Sequence, residues 1–208
     1  CQFNTAISPQ SRNTKFIMSH LLSIENAICR IGRKSILKID QFQISTGQHW
    51  CIYGPNGAGK SLFANLLMGR RLESQNYVQS SVNFQPALDV YIVSFEEQQR
   101  LWQRDNRLDI SEFSEQAQDL GTIVSQLICS GRKKPKPQLY DALMADLDLN
   151  SIAGKGIRFL SSGQIRKVLI ARALYAGRPG SVKLLILDEP LESIDRDSQR
   201  RIVNCIAK

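Results

Sequence analysis

Nowhere in the 208 residues does an unbroken apolar run approach the roughly 20 positions that a membrane-spanning helix needs, and the polar N-terminal stretch lacks the apolar centre of a secretory signal. Any membrane role must therefore come through a partner, and the expected location is cytoplasmic, peripheral at the inner face of the cell membrane at most. Paired cysteines are missing too. The five present (Cys1, Cys29, Cys51, Cys129, Cys205) are odd in number, scattered and without a C-x-x-C pair, so neither a disulfide framework nor a zinc site is indicated and reduced thiols are expected. Acidic residues are in deficit, with 19 Asp and Glu against 27 Lys and Arg and a net charge of +8. That balance favours phosphate-bearing partners without choosing among nucleotides, nucleic acid or a lipid surface.

What remains is an ordinary globular composition, 42% hydrophobic and 22% charged, in a chain long enough for one sizeable core or a core carrying an insertion. Residues 1–20 are polar and patternless, with Met18 a candidate start, and read as a disordered leader or tag. Leu21 to Ala27 reads as a strand, and so does Ser35 to Ile44, where apolar residues at 37, 39, 42 and 44 nearly alternate. Ser45-Thr46-Gly47 then turns the chain into a third apolar run, His49 to Tyr53. Asp89 to Phe95 reads as a buried strand. From Glu96 to about Leu160, helix-favouring segments (Glu96 to Arg104, Ala117 to Cys129, Gln138 to Leu149) separated by Ser, Gly and Pro suggest a small helical subdomain inserted into an α/β core. Its basic loop, Gly131 to Pro137, reads as a solvated surface rather than a nucleic-acid contact.

Three stretches carry chemistry. Gly54-Pro55-Asn56-Gly57-Ala58-Gly59-Lys60-Ser61 fits the phosphate-loop pattern G-x-x-x-x-G-K-[ST], and Leu62 onward is apolar at helical spacing. The glycines let successive amide N–H groups turn inward as a nest for phosphate oxygens, at the positive end of the helix that follows. Lys60 would reach the β- and γ-phosphates of a nucleotide, and the Ser61 hydroxyl would ligate Mg²⁺. Second, Ser161-Ser162-Gly163-Gln164 precedes a helix with apolar residues at 165, 168, 169 and 173 and supplies it with a cap. Third, Val182 to Leu187, apolar but for Lys183, ends in Asp188-Glu189-Pro190 and reads as a fully buried strand delivering two carboxylates to a sheet edge. Asp188 would serve the metal and Glu189 would polarise an attacking water as general base.

Together these stretches resemble the ATP-binding cassette (ABC) ATPases. GPNGAGKS is similar to the Walker A motif, LSSGQ to the signature motif LSGGQ, LLILDEP to Walker B with its glutamate, and Leu191-Glu192-Ser193-Ile194-Asp195 to the D-loop. The resemblance runs from about residue 21 to the end. It implies an α/β fold: a P-loop NTPase (RecA-like) core over 21–96 and 155–208, with an N-terminal antiparallel β subdomain and an inserted helical subdomain over 97–154. It also implies Mg-ATP as the ligand and a head-to-tail pair with a second cassette. Gly54 to Leu62 of one cassette, with Lys60 and Glu189 as catalytic residues, would then face Ser161, Ser162, Gly163, Gln164 and Asp195 of the other.

The departures from the family pattern are specific. Glu96 stands where a glutamine usually ligates the metal, which adds negative charge beside the γ-phosphate. No aromatic stands at the adenine-stacking position, so Ile31 or Arg30 would pack on the base. The family's switch histidine lies beyond the helix in which this sequence stops, and His20 and His49 align nowhere near it, so the chain reads as C-terminally truncated or as half of a tandem. Val93 to Gln98, Trp102 to Asn106 and the Arg166-Lys167 pair are similar to the two-cassette ATP-binding proteins associated with molybdate transport, also called photorepair proteins. Three readings follow: the ATPase subunit of a transporter with a membrane permease as partner, a soluble tandem cassette acting on nucleic acid or ribosomes, or a nucleotide-binding regulatory module with little turnover. The charge permits nucleic acid without favouring it.

Overall fold

The near-alternation read in the second strand has a structural cause at Asn26. In β1 (His20–Ile31), beside the buried Leu21 at its start, the buried side chains alternate as Leu22 and Ile24, then Ala27 and Cys29, so the inward phase slips by one residue across Asn26, whose φ of 51° is left-handed. The antiparallel partner β2 (Lys34–Ser45) slips at the same level: Leu37 and Ile39 lie opposite Cys29 and Ala27, and Phe42 and Ile44 lie opposite Ile24 and Leu22. Matching slips keep every apolar pair on one face, where a slip in one strand alone would turn half of it to solvent. The expected turn follows, with Gly47 at φ 80° and the Gln48 N–H donating to the Ser45 carbonyl at 3.2 Å.

The structure is a computed structural model and describes residues 20–31, 34–69, 77–81, 83–107, 121–132, 134–177, 183–192 and 194–207. Outside them lie the expected leader, the Arg30 and Ile31 side chains offered to the base, the start of the helical segment expected from Ala117, Lys133 of the basic loop, and Ser193 of the D-loop. The described residues fall into two compact units, one of residues 20–90 with 183 and 184, the other of 91–177 with 185–207.

In the first unit, β3 (Tyr77–Ser80) pairs with the far side of β1 to complete a three-stranded antiparallel sheet, β2-β1-β3. Its four residues carry no alternation long enough to read in the sequence. Helix α1 (Lys60–Leu67) buries Phe63, Ala64, Leu66 and Leu67, and Phe63 meets Phe42 of β2 edge to face at 4.9 Å. The run 49–53 does not form the expected strand. Among the described residues it joins no ladder, and Trp50, Cys51 and Tyr53 are exposed. Apolar, β-prone residues make a strand only where a neighbouring backbone and a buried face receive them. A short α2 (Pro86–Asp89) closes the unit, its buried Asp89 accepting the Gln85 N–H.

β4 (Val90–Val93) pairs with β5 (Leu184–Leu187), and both strands belong to the second unit from residues 91 and 185 onward. The expectation of a fully buried strand here is corrected: every β5 residue is half-buried, because among the described residues β4 is its sole ladder partner. The helices are α3 (Phe95–Arg107), α4 (Val124–Cys129), α5 (Pro137–Asp146), α6 (Ser162–Tyr175) and α7 (Arg196–Ile206); α4 is shorter than the expected Ala117 to Cys129, since 121–123 are not helical, and α5 stops three residues before the expected Leu149. They share a core of Val124, Ile128, Leu147, Leu149, Ile165, Ile170 and Ile202, all fully buried. The basic loop is anchored to α6: the Arg132 Nε donates to the Tyr175 carbonyl at 2.8 Å and the Lys136 N–H to the Tyr175 hydroxyl at 3.0 Å, while Lys134 stays exposed. No helix among the described residues is long and apolar enough to cross a membrane.

An ion pair that sequence reading did not anticipate locks the end of α3 to the segment before α6. Asp105, 2% exposed, receives Arg158 Nε at 3.2 Å and the Thr122 N–H at 2.8 Å. Gly121 beside them has φ 61°, and a Cβ there would collide with both charged side chains. Removing one member of a buried pair strands the other, whereas replacing both with apolar residues need not destabilise. Asp105→Ala is expected to cost about 3–5 kcal/mol in urea unfolding, and Asp105→Leu with Arg158→Met to recover most of it.

Candidate functional site

The phosphate-loop candidates form one continuous structure in the first unit. Gly57 and Gly59 have φ of 80° and 91°, a region that costs a residue with a Cβ, and Gly59 is the N-cap of α1. At Gly54 a Cβ would sit 3.3 Å from that of Ala58, a tight contact. The Ala58 N–H closes the loop onto the Pro55 carbonyl at 3.2 Å. Lys60 folds its ammonium back to donate to the carbonyls of Gly54, at 2.9 Å, and Pro55, at 3.2 Å. A cation therefore already sits in the curve of the loop. Pro55, Asn56, Gly57 and Ser61 are exposed, and Leu62 is half-buried.

The signature candidates lie at the start of α6. Ser161 is its N-cap in a reciprocal box: the Gln164 N–H donates to the Ser161 hydroxyl at 3.2 Å and the Gln164 side chain accepts the Ser161 N–H at 3.0 Å. Ser162 and Gly163 occupy the first turn, where N–H groups have no acceptor within the helix. The expected inner face of Ile165, Val168, Leu169 and Ala173 is buried, but so are all residues from 165 to 171, including Arg166 and Lys167.

Asp188 and Glu189 follow β5 directly. The Asp188 N–H donates to the Val93 carbonyl at 2.9 Å, and its own carbonyl accepts from Arg166 Nη1 at 3.4 Å. Glu189 is exposed at φ 49°, a left-handed conformation that costs a glutamate about 1–3 kcal/mol and turns its carboxylate off the strand line. Glu96 is exposed in the first turn of α3, whereas Gln98 beside it is buried with its side-chain oxygen unpartnered. Asp195 caps α7, accepting the Ser198 N–H at 2.9 Å, and that hydrogen bond holds its carboxyl below the usual carboxylate range. The sequence brings in Arg166 only through the Arg166-Lys167 pair; lying off the apolar face of 165, 168, 169 and 173 it reads as solvent-facing, and its burial was missed.

A glycine loop opening on a helix, a capped helix of signature type and a strand ending in two carboxylates define a nucleotide-binding α/β cassette. The ABC transporter family matches residues 37–192, and the chain belongs to that family as an ABC-type ATPase domain. It is 27% identical over 190 residues to the ABC transporter ATP-binding protein ModF of Escherichia coli K12, covering 89% of this chain and 36% of that protein. It is 28% identical to the tungstate uptake system ATP-binding protein TupC of Peptoclostridium acidaminophilum, covering 89% and 79%. It is 25% identical to the zinc import ATP-binding protein ZnuC of Wigglesworthia glossinidia brevipalpis, covering 92% and 71%. The chain thus spans about a third of ModF and somewhat over two thirds of the other two. Its fold is similar to a nucleotide-free ATP-binding cassette from an ABC transporter, with a TM-score of 0.62 at 20% identity over 90% of this chain and 76% of that one.

Two outcomes follow from this geometry. A carboxyl whose folded value is depressed stabilises the fold above the ordinary carboxylate range, and that contribution is lost as pH falls through the folded value. Between about pH 5 and about pH 2 the wild type should lose more stability than Asp195→Asn, whose side chain caps without titrating, as followed by unfolding midpoints. Lys60→Ala should weaken binding of a slowly hydrolysed ATP analogue by about 1.5–3 kcal/mol, roughly ten- to hundredfold in Kd by calorimetry.

Proposed function

We propose that this chain is the ATP-binding subunit of a transporter, binds Mg-ATP, pairs head to tail with a second cassette and hydrolyses the nucleotide to power passage across a membrane. The observation that carries the reading is the loop of Gly54 to Ser61, with two left-handed glycines and Lys60 curled inside it at the start of α1. Such a loop aims backbone N–H donors and a mobile ammonium at one triphosphate.

The residues fit magnesium. A serine hydroxyl and one or two carboxylates are the hard oxygen donors that magnesium takes, the rest of its shell coming from water and the substrate's own phosphates. Ser61, Asp188 and Glu96 would hold it, and the bound ion would neutralise charge on the β- and γ-phosphate oxygens. Glu189, turned out by its backbone, accepts the proton of the attacking water. Ser161 to Gln164 and Asp195 complete the partner's site, and enclosure between two cassettes excludes solvent from the transferring group. Once the bond is cut, two mutually repelling anions weaken the adhesion, so hydrolysis drives opening. A membrane permease couples this cycle to transport, with the cassettes at the inner face of the membrane. Molybdate-type import is the cargo class that the tandem resemblance favours; tungstate and zinc, named in the relatives' titles, are the competitors.

The test uses the full chain. Glu189→Gln should lower phosphate release at least about a hundredfold while leaving ATP-analogue affinity within a fewfold. Equal turnover in variant and wild type, or none in either, overturns the hydrolase reading and leaves a nucleotide-binding module. Uptake of labelled molybdate and of zinc by cells lacking the gene separates the cargoes.

A further inference from the structure

Arg166 stands in α6 where the sequence leads one to expect a solvent-facing cation, yet it is 4% exposed. Its Nη1 makes one long bond, 3.4 Å to the Asp188 carbonyl, and its Nε is buried with no partner. Judged by stability alone this is a poor use of the position. A methionine would fill similar space without burying a charge, and buried cations that are incompletely hydrogen-bonded are commonly worse than an apolar side chain.

The contact instead falls on a peptide group where position matters. The Asp188 N–H is already bound to Val93 of β4, so the Arg166 bond to the carbonyl fixes the other end of the same residue. The next residue, Glu189, must then enter the left-handed region, and its carbonyl accepts the Glu192 N–H at 3.3 Å to close the turn. A glutamate persists in that conformation only where its surroundings over-determine it. We propose that Arg166 is a positioning residue for Asp188 and Glu189: from inside the signature helix its guanidinium holds the Asp188 carbonyl and so sets the direction in which the Glu189 carboxylate leaves β5. The inference rests on the proposed role of Glu189 as base and adds a residue that touches neither nucleotide nor metal.

The experiment compares Arg166→Met, Arg166→Gln and Glu189→Gln in the full chain. Three readouts are taken: phosphate release at varied ATP, affinity for a slowly hydrolysed ATP analogue, and hydrogen–deuterium exchange of the segment 184–192. Arg166→Met should lower kcat about ten- to a hundredfold, as a displacement of about 1 Å does, with KM and analogue affinity within about twofold and exchange at 188–190 accelerated. Arg166→Gln keeps an N–H donor and should restore both kcat and protection to within about fivefold of wild type.

Unchanged kcat in Arg166→Met, or a fall in which affinity and melting temperature drop together and glutamine rescues nothing, overturns the proposal. If Arg166→Met does not fold, Arg166→Gln decides alone: kcat and protection at 188–190 both within about fivefold of wild type at constant affinity uphold it, and protection lost with kcat intact, or kcat lost with protection intact, overturns it. The two readings fail differently. A strong effect of Glu189→Gln beside a silent Arg166→Met sinks the positioning role only, whereas a silent Glu189→Gln sinks the assignment of the base and the positioning role with it.

Discussion

A protein that grips a triphosphate must keep a row of backbone N–H groups unspent, in a chain whose ordinary tendency is to pair every one of them. The loop of Gly54 to Ser61 meets that demand with conformations only glycine takes cheaply, at 57 and 59, and is closed by a backbone bond from Ala58 to Pro55. Lys60 donates to the carbonyls of Gly54 and Pro55 at the loop's entry, so the cation is stored against its own backbone. What surrounds the loop serves to keep it in place: α1 is anchored by Phe63 against Phe42, and Phe42 is held in the hairpin by its register with Ile24.

The second unit solves a different problem, that of holding charge in a dry interior. Asp105 is satisfied by Arg158 and a backbone amide, so its burial is compensated and acts as a clamp between α3 and the approach to α6. Arg166 is not satisfied in that sense. Its burial is tolerated inside a helix whose neighbours Ile165, Val168, Leu169 and Ile170 are wholly or almost wholly enclosed by the shared core.

Much of this was legible from residue types alone, because the features concerned are local. Ser161 three residues before Gln164 is a capping box that needs no tertiary context, and the structure forms it; the loop glycines and the turn at Ser45 to Gly47 are local in the same way. What stayed hidden depends on partners remote in sequence. Tyr77–Ser80 becomes a strand only because the edge of β1 is there to receive it, and His49 to Tyr53 fails to become one for want of such an edge among the described residues. The burial of Arg166 and of Asp105 cannot be read from a helical wheel, since each is set by an element many residues away. The direction of Glu189 is likewise a matter of φ and not of residue preference.

The paired slip at Asn26 has an evolutionary corollary. Because both strands of the hairpin change phase at one level, the apolar ladder running from Cys29 and Leu37 to Leu22 and Ile44 is shared property, and neither strand can be edited by itself. Losing or gaining one residue near Asp40 would invert half of β2 against an unchanged β1. Lineages that vary the length of this hairpin should therefore do so in compensated pairs.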